Sequence, residues 1–585
     1  MYSNSMNNKL IVLLIAVLLL TSCDDLFEPA IENNRDLEDA YGEATYAEGL
    51  LLNGYLRIPT LNWSFNDVAT DDAVSNDIDN NYRRAATGQW ASNFNPFTQW
   101  QSSRSAIQYL NIFLSEADNV EWSTDENINE LYNRRLKGEA YGLRGLHMYY
   151  LLQAHGGFAD GELLGVPIIL EPEDPQSEFN VPRATFANCM EQLLNDLEKA
   201  DEMLALDFED IDDPSLLPSG ITNTNDFNRV FGERGRQRLS GRIVKVIKAQ
   251  AALLAASPAY SEASGNTWLQ AANFAGEVLA LNGGLAGLAP NGHTWYTNTA
   301  QIADLGGGVN PPEILWRGDV ANSNNLEQDH FPPTLNGNGR LNPTQNLVDA
   351  FPAANGYPIS NAASSYNPDD PYANRDPRLQ TYVLVNGATA GVNSSTIVTA
   401  VDGTTNDAIN REATSTRTGY YLKKLLRQDV NLSTTTTTEQ LHYKPRIRYT
   451  ELYLIYAEAA NEAWGPTSSG SYGFSAYDVI AAIRERAGIT QPDAYLESIR
   501  NDKSAMRELI RNERRLELCF EGFRFWDLRR WGLDLNEPAR GMAIENSDPE
   551  VITVEQRNYQ DYMQYGPVPY NELLKFEALK QNRGW

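Results

Sequence analysis

Apolar residues recur at i, i+3 and i+4 in seven stretches of the chain, 128 to 155, 184 to 205, 239 to 257, 268 to 281, 447 to 464, 475 to 487 and 503 to 530, and this spacing predicts amphipathic helices. Within 447 to 464 the residues Leu452, Ile455, Tyr456, Ala459 and Ala460 share one face, with alanines where a second helix can approach. Ala140, Gly142 and Gly145, with Tyr149 and Tyr150, give 128 to 155 the same alternation of small and large. Helix pairs are therefore the expected packing unit. A stack of tetratricopeptide-like hairpins fits, although the full repeat pattern is not visible in the sequence.

Between the helices the polarity changes. The stretches 59 to 104, 283 to 345 and 353 to 440 are rich in Asn, Gly, Pro, Ser and Thr, and include the run Thr434 to Thr438. Long loops inside a compact body are uncommon unless they are functional or disordered, so their contents point to what the protein touches. Those contents are aromatic. Of eleven tryptophans, Trp63, Trp90, Trp295 and Trp316 fall in or beside these stretches, with Tyr82, Tyr296, Phe331, Tyr357 and Tyr372. Trp464, Trp526 and Trp531 lie on helical faces and are expected in the core.

The chain opens with Lys9, an apolar run from Leu10 to Leu20, and Thr21-Ser22 before Cys23. This reads as a secretory signal over 1 to 22 with a bacterial lipobox, which predicts acylation of Cys23. The apolar run is shorter than the roughly 20 residues that a spanning helix needs. Acyl chains can hold a large body on a membrane, at about 0.8 kcal/mol per buried methylene.

With 77 acidic and 47 basic residues the formal charge is −30, which keeps the body in solution, repels phosphate backbones and leaves nucleic acid as no expected partner. One stretch runs against this balance: Arg229, Arg234, Arg236, Arg238, Arg242, Lys245 and Lys248 surround a single Glu233. Either these cations face acidic neighbours on a solvated helix start, or they form an anion-recognition patch. Cys189 and Cys519 sit among apolar residues of helical segments and read as two buried free thiols.

At 507 to 532 the chain reads Arg-Glu-Leu-Ile-Arg-Asn-Glu-Arg-Arg-Leu-Glu-Leu-Cys-Phe-Glu-Gly-Phe-Arg-Phe-Trp-Asp-Leu-Arg-Arg-Trp-Gly, which resembles the C-terminal signature of the SusD/RagB family of surface nutrient-binding lipoproteins. Arg448 to Asn461, Ala481 to Gly488, Arg375 to Leu379 and the ending Gln581 to Trp585 resemble the same family, as do Lys137 to Arg144 leading to Gly156-Gly157, Val181 to Thr185 and Asp196 to Ala200. Arg583 departs from the proline expected there. The resemblance implies a mainly α fold in which tetratricopeptide-like helical hairpins support a loop-rich irregular lobe. It divides the chain into a helical region over 23 to 290 and a C-terminal region over 291 to 585, with a loop-rich insertion at 291 to 440. It also implies a SusC-like TonB-dependent transporter as partner, and a surface-exposed lipoprotein of a Gram-negative outer membrane engaged in polysaccharide utilisation.

From the residues themselves, the signature helices read as structural. Arg511, Glu513, Arg514, Arg515, Glu517, Glu521, Arg524 and Asp527 alternate charge beside Leu516, Phe520, Phe523 and Trp526, the pattern of salt-bridged helix junctions. The five histidines form no pair at the spacing of a zinc helix, and no nucleophile elbow or P-loop is present. The acidic runs at Asp67, Asp71, Asp72, Asp77 and Asp79 lack an EF-hand loop and read as solvated acid, so no metal or cofactor is assigned. Three functions stay open: glycan capture, oligopeptide capture as in the RagB branch, and glycoside hydrolysis by a carboxylate pair. Sugar rings want aromatic platforms flanked by acids, amides and arginines. The candidates are Trp63 with Asp67 and Asp71, Trp90, Trp295 with Tyr296, and Trp316 with Arg317. Each tryptophan is either a platform or the plug of its own loop.

Overall fold

The computed structural model describes residues 42–59, 64–262, 264–265 and 267–585. The expectations placed on the signal segment, Cys23 and Trp63 lie outside them.

The predicted helices form, and their starts follow from capping. The helices are α1 (Ala44–Leu56), α2 (Trp100–Glu116), α3 (Glu126–His155), α4 (Phe186–Met203), α5 (Gly241–Ala256), α6 (Trp268–Leu281), α7 (Tyr449–Trp464), α8 (Ala476–Arg486), α9 (Lys503–Glu517) and α10 (Arg524–Trp531), with shorter turns between them. Side chains of Asp125, Thr185, Ser240 and Thr267 accept the first free amides of α3, α4, α5 and α6. Ser475 and Asp478 close a capping box on α8. α1 and α2 lie outside the stretches that the apolar pattern marks.

The stretch 503 to 530, predicted as one helix, is two. α9 ends at Glu517, and Phe520 and Gly522 take positive φ values of 64° and 83° before α10. The cause is tertiary. Lys424 Nζ donates to the carbonyls of Glu517 and Cys519 at 2.8 and 2.9 Å, and Arg448 Nη2 donates to Glu517 O at 2.7 Å, so cations from elsewhere satisfy the carbonyls that a continuing helix would use.

Strands are few and pair two by two. The longest pair joins β1 (Ile314–Ser323) to β2 (Gln440–Arg448), antiparallel, with register shifts on both sides of Pro445. Proline has no amide to give the ladder, so the bulge falls there. Its neighbour Arg446 lies over the ring of Trp316 at 4.7 Å.

One apolar core joins α1 to α6 with α7, α8 and α9, so distant parts of the chain build one helical body. A second core holds the loop-rich part, from Val68 and Trp295 to Tyr420 and Phe520. A third gathers Trp90, Phe97, Phe525, Trp526 and Tyr559. The basic stretch faces acidic neighbours: Arg238 pairs with Glu48 and Glu139, Arg242 with Asp207, and Lys245 and Lys248 share Asp201. Cys189 and Cys519 are buried thiols. Among the described residues no helix is long and apolar enough to cross a membrane.

Candidate functional site

Where the helical body meets β1, β2 and the loops, a cavity of about 820 Å³ opens. That is within the roughly 300–1,000 Å³ of sites that enclose small ligands. α3 presents Tyr149, Tyr150 and Gln153, α5 presents Gln250, and α7 presents Glu451. Opposite them stand Trp316, Asp319, Lys444 and Arg446 of the strand pair. Phe65, whose backbone takes the left-handed φ of 51°, and Phe523, in the break between α9 and α10, add two half-buried rings. Arg514, Trp526, Asp527 and Arg530 complete the wall.

Burial sets the electrostatics. The hydroxyls of Tyr149 and Tyr150, whose rings lie 5.4 Å apart, are pushed well above the ordinary phenol range and stay neutral. Burial also raises the Glu451 carboxyl, which accepts from Gln250 Nε2 at 2.8 Å, and lowers the Arg446 guanidinium. For Asp527 and Glu521, burial acts upward but paired cations win. Arg514 and Arg530 each donate Nε to Asp527 at 2.8 Å, and Arg448 and Lys424 each bond Glu521 at 2.7 Å, holding both carboxyls below their ordinary range. Rings, amides and charged hydrogen-bonding groups thus share one enclosure.

The residues singled out in the sequence do not converge on it. Trp316 reaches the cavity wall, but it is 1 % exposed, its Nε1 donates to Gln237 O at 2.9 Å, and Arg446 covers its face. Arg317 is buried and donates to the carbonyls of Leu305 and Val309 at 3.1 and 3.2 Å. Trp90 is 3 % exposed, wedged against Trp585, Phe97 and Phe525 at 4.9, 5.1 and 5.7 Å, with Nε1 bonded to Asn95. Trp295 and Tyr296 are buried in the second core, Trp295 against Tyr443 at 5.1 Å. Asp67 and Asp71 are not solvated acids. Asp67 is fully buried and accepts the Phe520 amide at 3.1 Å, while Arg515 and Arg524 bond Asp71 at 2.9 Å and hold its carboxyl well below the usual range against burial. Trp90, Trp295 and Tyr296 therefore have no face free for a sugar, because neighbouring rings already take it. Of the further rings that line the cavity, Tyr149, Tyr150 and Phe523 lie outside the loop stretches, and Phe65 lies within 59 to 104 but was not singled out there. A Tyr-Tyr pair at the C-terminal end of a long amphipathic helix, where one of the two leaves the apolar face, is the clue that was legible.

Two family models match the chain: the one described as the SusD family over residues 312–585, and the one described as starch-binding, associating with outer membrane, over 52–220. SusD-like protein P25 of Formosa agariphila is 31% identical over 142 residues, an alignment spanning 24% of either chain. Among solved structures, a SusD-like protein from Bacteroides fragilis superposes with a TM-score of 0.71 at 22% identity, covering 95% of this chain and 100% of that one. A SusD-like carbohydrate binding protein from the same organism gives a TM-score of 0.67 at 19% identity over 92% of this chain and 99% of that one. These full-length superpositions show the mainly α fold in which the cavity sits. With the two family models together covering α3, the β1–β2 pair, α7 and the signature segment of the cavity wall, this chain belongs to the SusD/RagB family.

Proposed function

We propose that this protein is a cell-surface glycan-binding lipoprotein that captures an oligosaccharide in the cavity between α3 and the β1–β2 pair. It hands the sugar uncleaved to a SusC-like TonB-dependent transporter in the outer membrane, with Cys23 as the lipid anchor. The observation that carries the reading is the cavity wall, where Tyr149, Tyr150, Phe65 and Phe523 stand among Gln153, Gln250, Asp319 and Arg446. Sugar rings have apolar C–H faces edged by hydroxyls, and this mixture matches both surfaces. Family membership and the carbohydrate-binding description of the Bacteroides fragilis relative point the same way.

One stacked ring contributes on the order of 1 kcal/mol, so a single sugar is held poorly and several contacts must add. Three or four platforms with a few net hydrogen bonds reach roughly 5–8 kcal/mol, equivalent to millimolar to micromolar Kd. The test is calorimetric titration with oligosaccharides of one to seven residues, alongside an assay for new reducing ends. Affinity rising with chain length and no new ends is the expected result. New ends identify a hydrolase, and saturable binding of peptides without any glycan binding assigns the protein to peptide capture.

A further inference from the structure

We infer that the cavity selects acidic oligosaccharides, seating a uronate carboxylate or a sulfate ester on the Arg446 guanidinium above Trp316. This rests on the glycan reading and names the substrate class within it.

The first observation is Arg446 itself. It lies 4.7 Å over the Trp316 ring, lines the cavity, and has no carboxylate within ion-pairing distance among the described residues. A guanidinium withdrawn from water is costly without a counter-charge in contact; Asp319 acts on Arg446 only from beyond ion-pairing distance, and burial outweighs it and lowers the pKa. A ligand anion would restore the missing partner in the bidentate geometry that arginine favours.

The second observation is independent of charge. Of the residues lining this cavity, those with a buried polar atom that has no hydrogen-bond partner among the described residues are Arg514 at Nη1, Trp526 at Nε1, Tyr443 at its hydroxyl and His330 at Nδ1. The arginine and indole atoms can only donate, and the phenol donates readily. The unpartnered buried carboxylate oxygens, such as those of Asp67, Asp72 and Glu327, belong to residues outside the lining. The wall is therefore short of acceptors, and acidic sugars supply more of them than neutral ones.

The acids of the lining do not cancel this. Glu521 and Asp527 are each held by two cations, and burial raises Glu451 toward its neutral form. Asp319 and Asp329 are exposed and Asp77 is partly exposed, so water screens all three. The overall charge of −30 acts over longer range and is damped beyond roughly 8 Å at physiological salt, whereas Arg446 acts at contact.

The experiment titrates the full-length mature protein, at about 0.15 M salt, with matched pairs of hexasaccharides that differ only in the acid. The pairs are cellohexaose with β-1,4-glucuronan, mannohexaose with β-1,4-mannuronan, and desulfated with native carrageenan. The expected result is a preference of at least about tenfold, some 1.4 kcal/mol, for the acidic member of one pair. The pair that responds separates carboxylate from sulfate. Arg446→Met should collapse the ratio of acidic to neutral affinity, with Arg446→Lys between, and unchanged thermal midpoints show that both variants fold. Neutral members binding as well as acidic ones overturns the selectivity and leaves glycan capture standing, as does a ratio that survives Arg446→Met. Absence of binding to every member of every pair, and to the neutral series used above, overturns glycan capture and the selectivity together.

Discussion

Replacing Arg378 by methionine tests whether the signature segment is a structural junction. Arg378 is fully buried and its guanidinium reaches Asp376 at 2.6 Å, Glu513 at 2.9 Å and Glu517 at 3.0 Å, with all four side chains 0% exposed. Methionine keeps the apolar stem and removes the charge, so packing changes little and electrostatics dominates. Breaking a buried pair from one side costs roughly 3–5 kcal/mol, because the opposite charge is left in a medium that cannot solvate it. The loss is limited by sharing. Glu513 keeps Arg484 at 2.8 Å and Glu517 keeps Arg486 at 3.0 Å, so among the described residues Asp376 alone loses its ion-pair partner, placing the expected loss near the lower end of that range. Denaturant unfolding followed by tryptophan fluorescence measures it, with Arg500→Met as the exposed comparison, expected at about 0–1 kcal/mol. The pH dependence gives a second readout. Burial alone would raise the Glu517 carboxyl, but Arg486, Arg378 and Arg448 hold it well below its ordinary range. A depressed carboxylate contributes stability that is present above its unfolded pKa, about 4.3, and is lost as pH falls toward the folded value. The deficit of Arg378→Met should therefore be full at pH 7 and narrow below about pH 4. A deficit no larger than that of Arg500→Met, or one equal at pH 3.5 and pH 7, refutes the argument.

Three further outcomes are expected. Tyr150→Ala should weaken glycan binding about fivefold with little loss of stability, the worth of one platform, whereas Trp90→Ala should cost roughly 3–5 kcal/mol of stability and leave the affinity of the folded fraction unchanged; paired calorimetry and thermal melts separate the two. Burial, reinforced by Asp72, pushes Asp67 up to about 7. A raised carboxyl contributes stability that is full below its unfolded pKa and lost as pH rises through the folded one, so the wild type should weaken between pH 5 and 8 by at most about 1.4 kcal/mol per unit, and Asp67→Asn should flatten that slope. Cys23→Ala should release the protein from the membrane fraction, and protease shaving of intact cells should digest the wild type; survival under shaving with digestion after rupture refutes surface display.

Much of the fold was legible because helices are written locally. The apolar spacing and the caps at Asp125, Thr185, Ser240, Thr267 and Ser475 mark helix starts to within a few residues. Charge alternation in the signature segment likewise announced its ion pairs, since a buried arginine needs a carboxylate. The break between α9 and α10 was not written there. Lys424 and Arg448 end α9 from positions far from it in sequence, so no window over 503 to 530 contains the cause.

The same physics divides the site. The sequence by itself determined most of the helices, the family and the presence of aromatic-rich loops, all properties of short stretches read one at a time. Only the tertiary structure decided which rings face a ligand. Trp90 and Tyr150 are both large amphipathic side chains, yet Phe525 and Trp585 close over the first while the second lines an open cavity. Burial depends on what the chain brings back from hundreds of residues away, and neither ring's own neighbours in sequence carry that information.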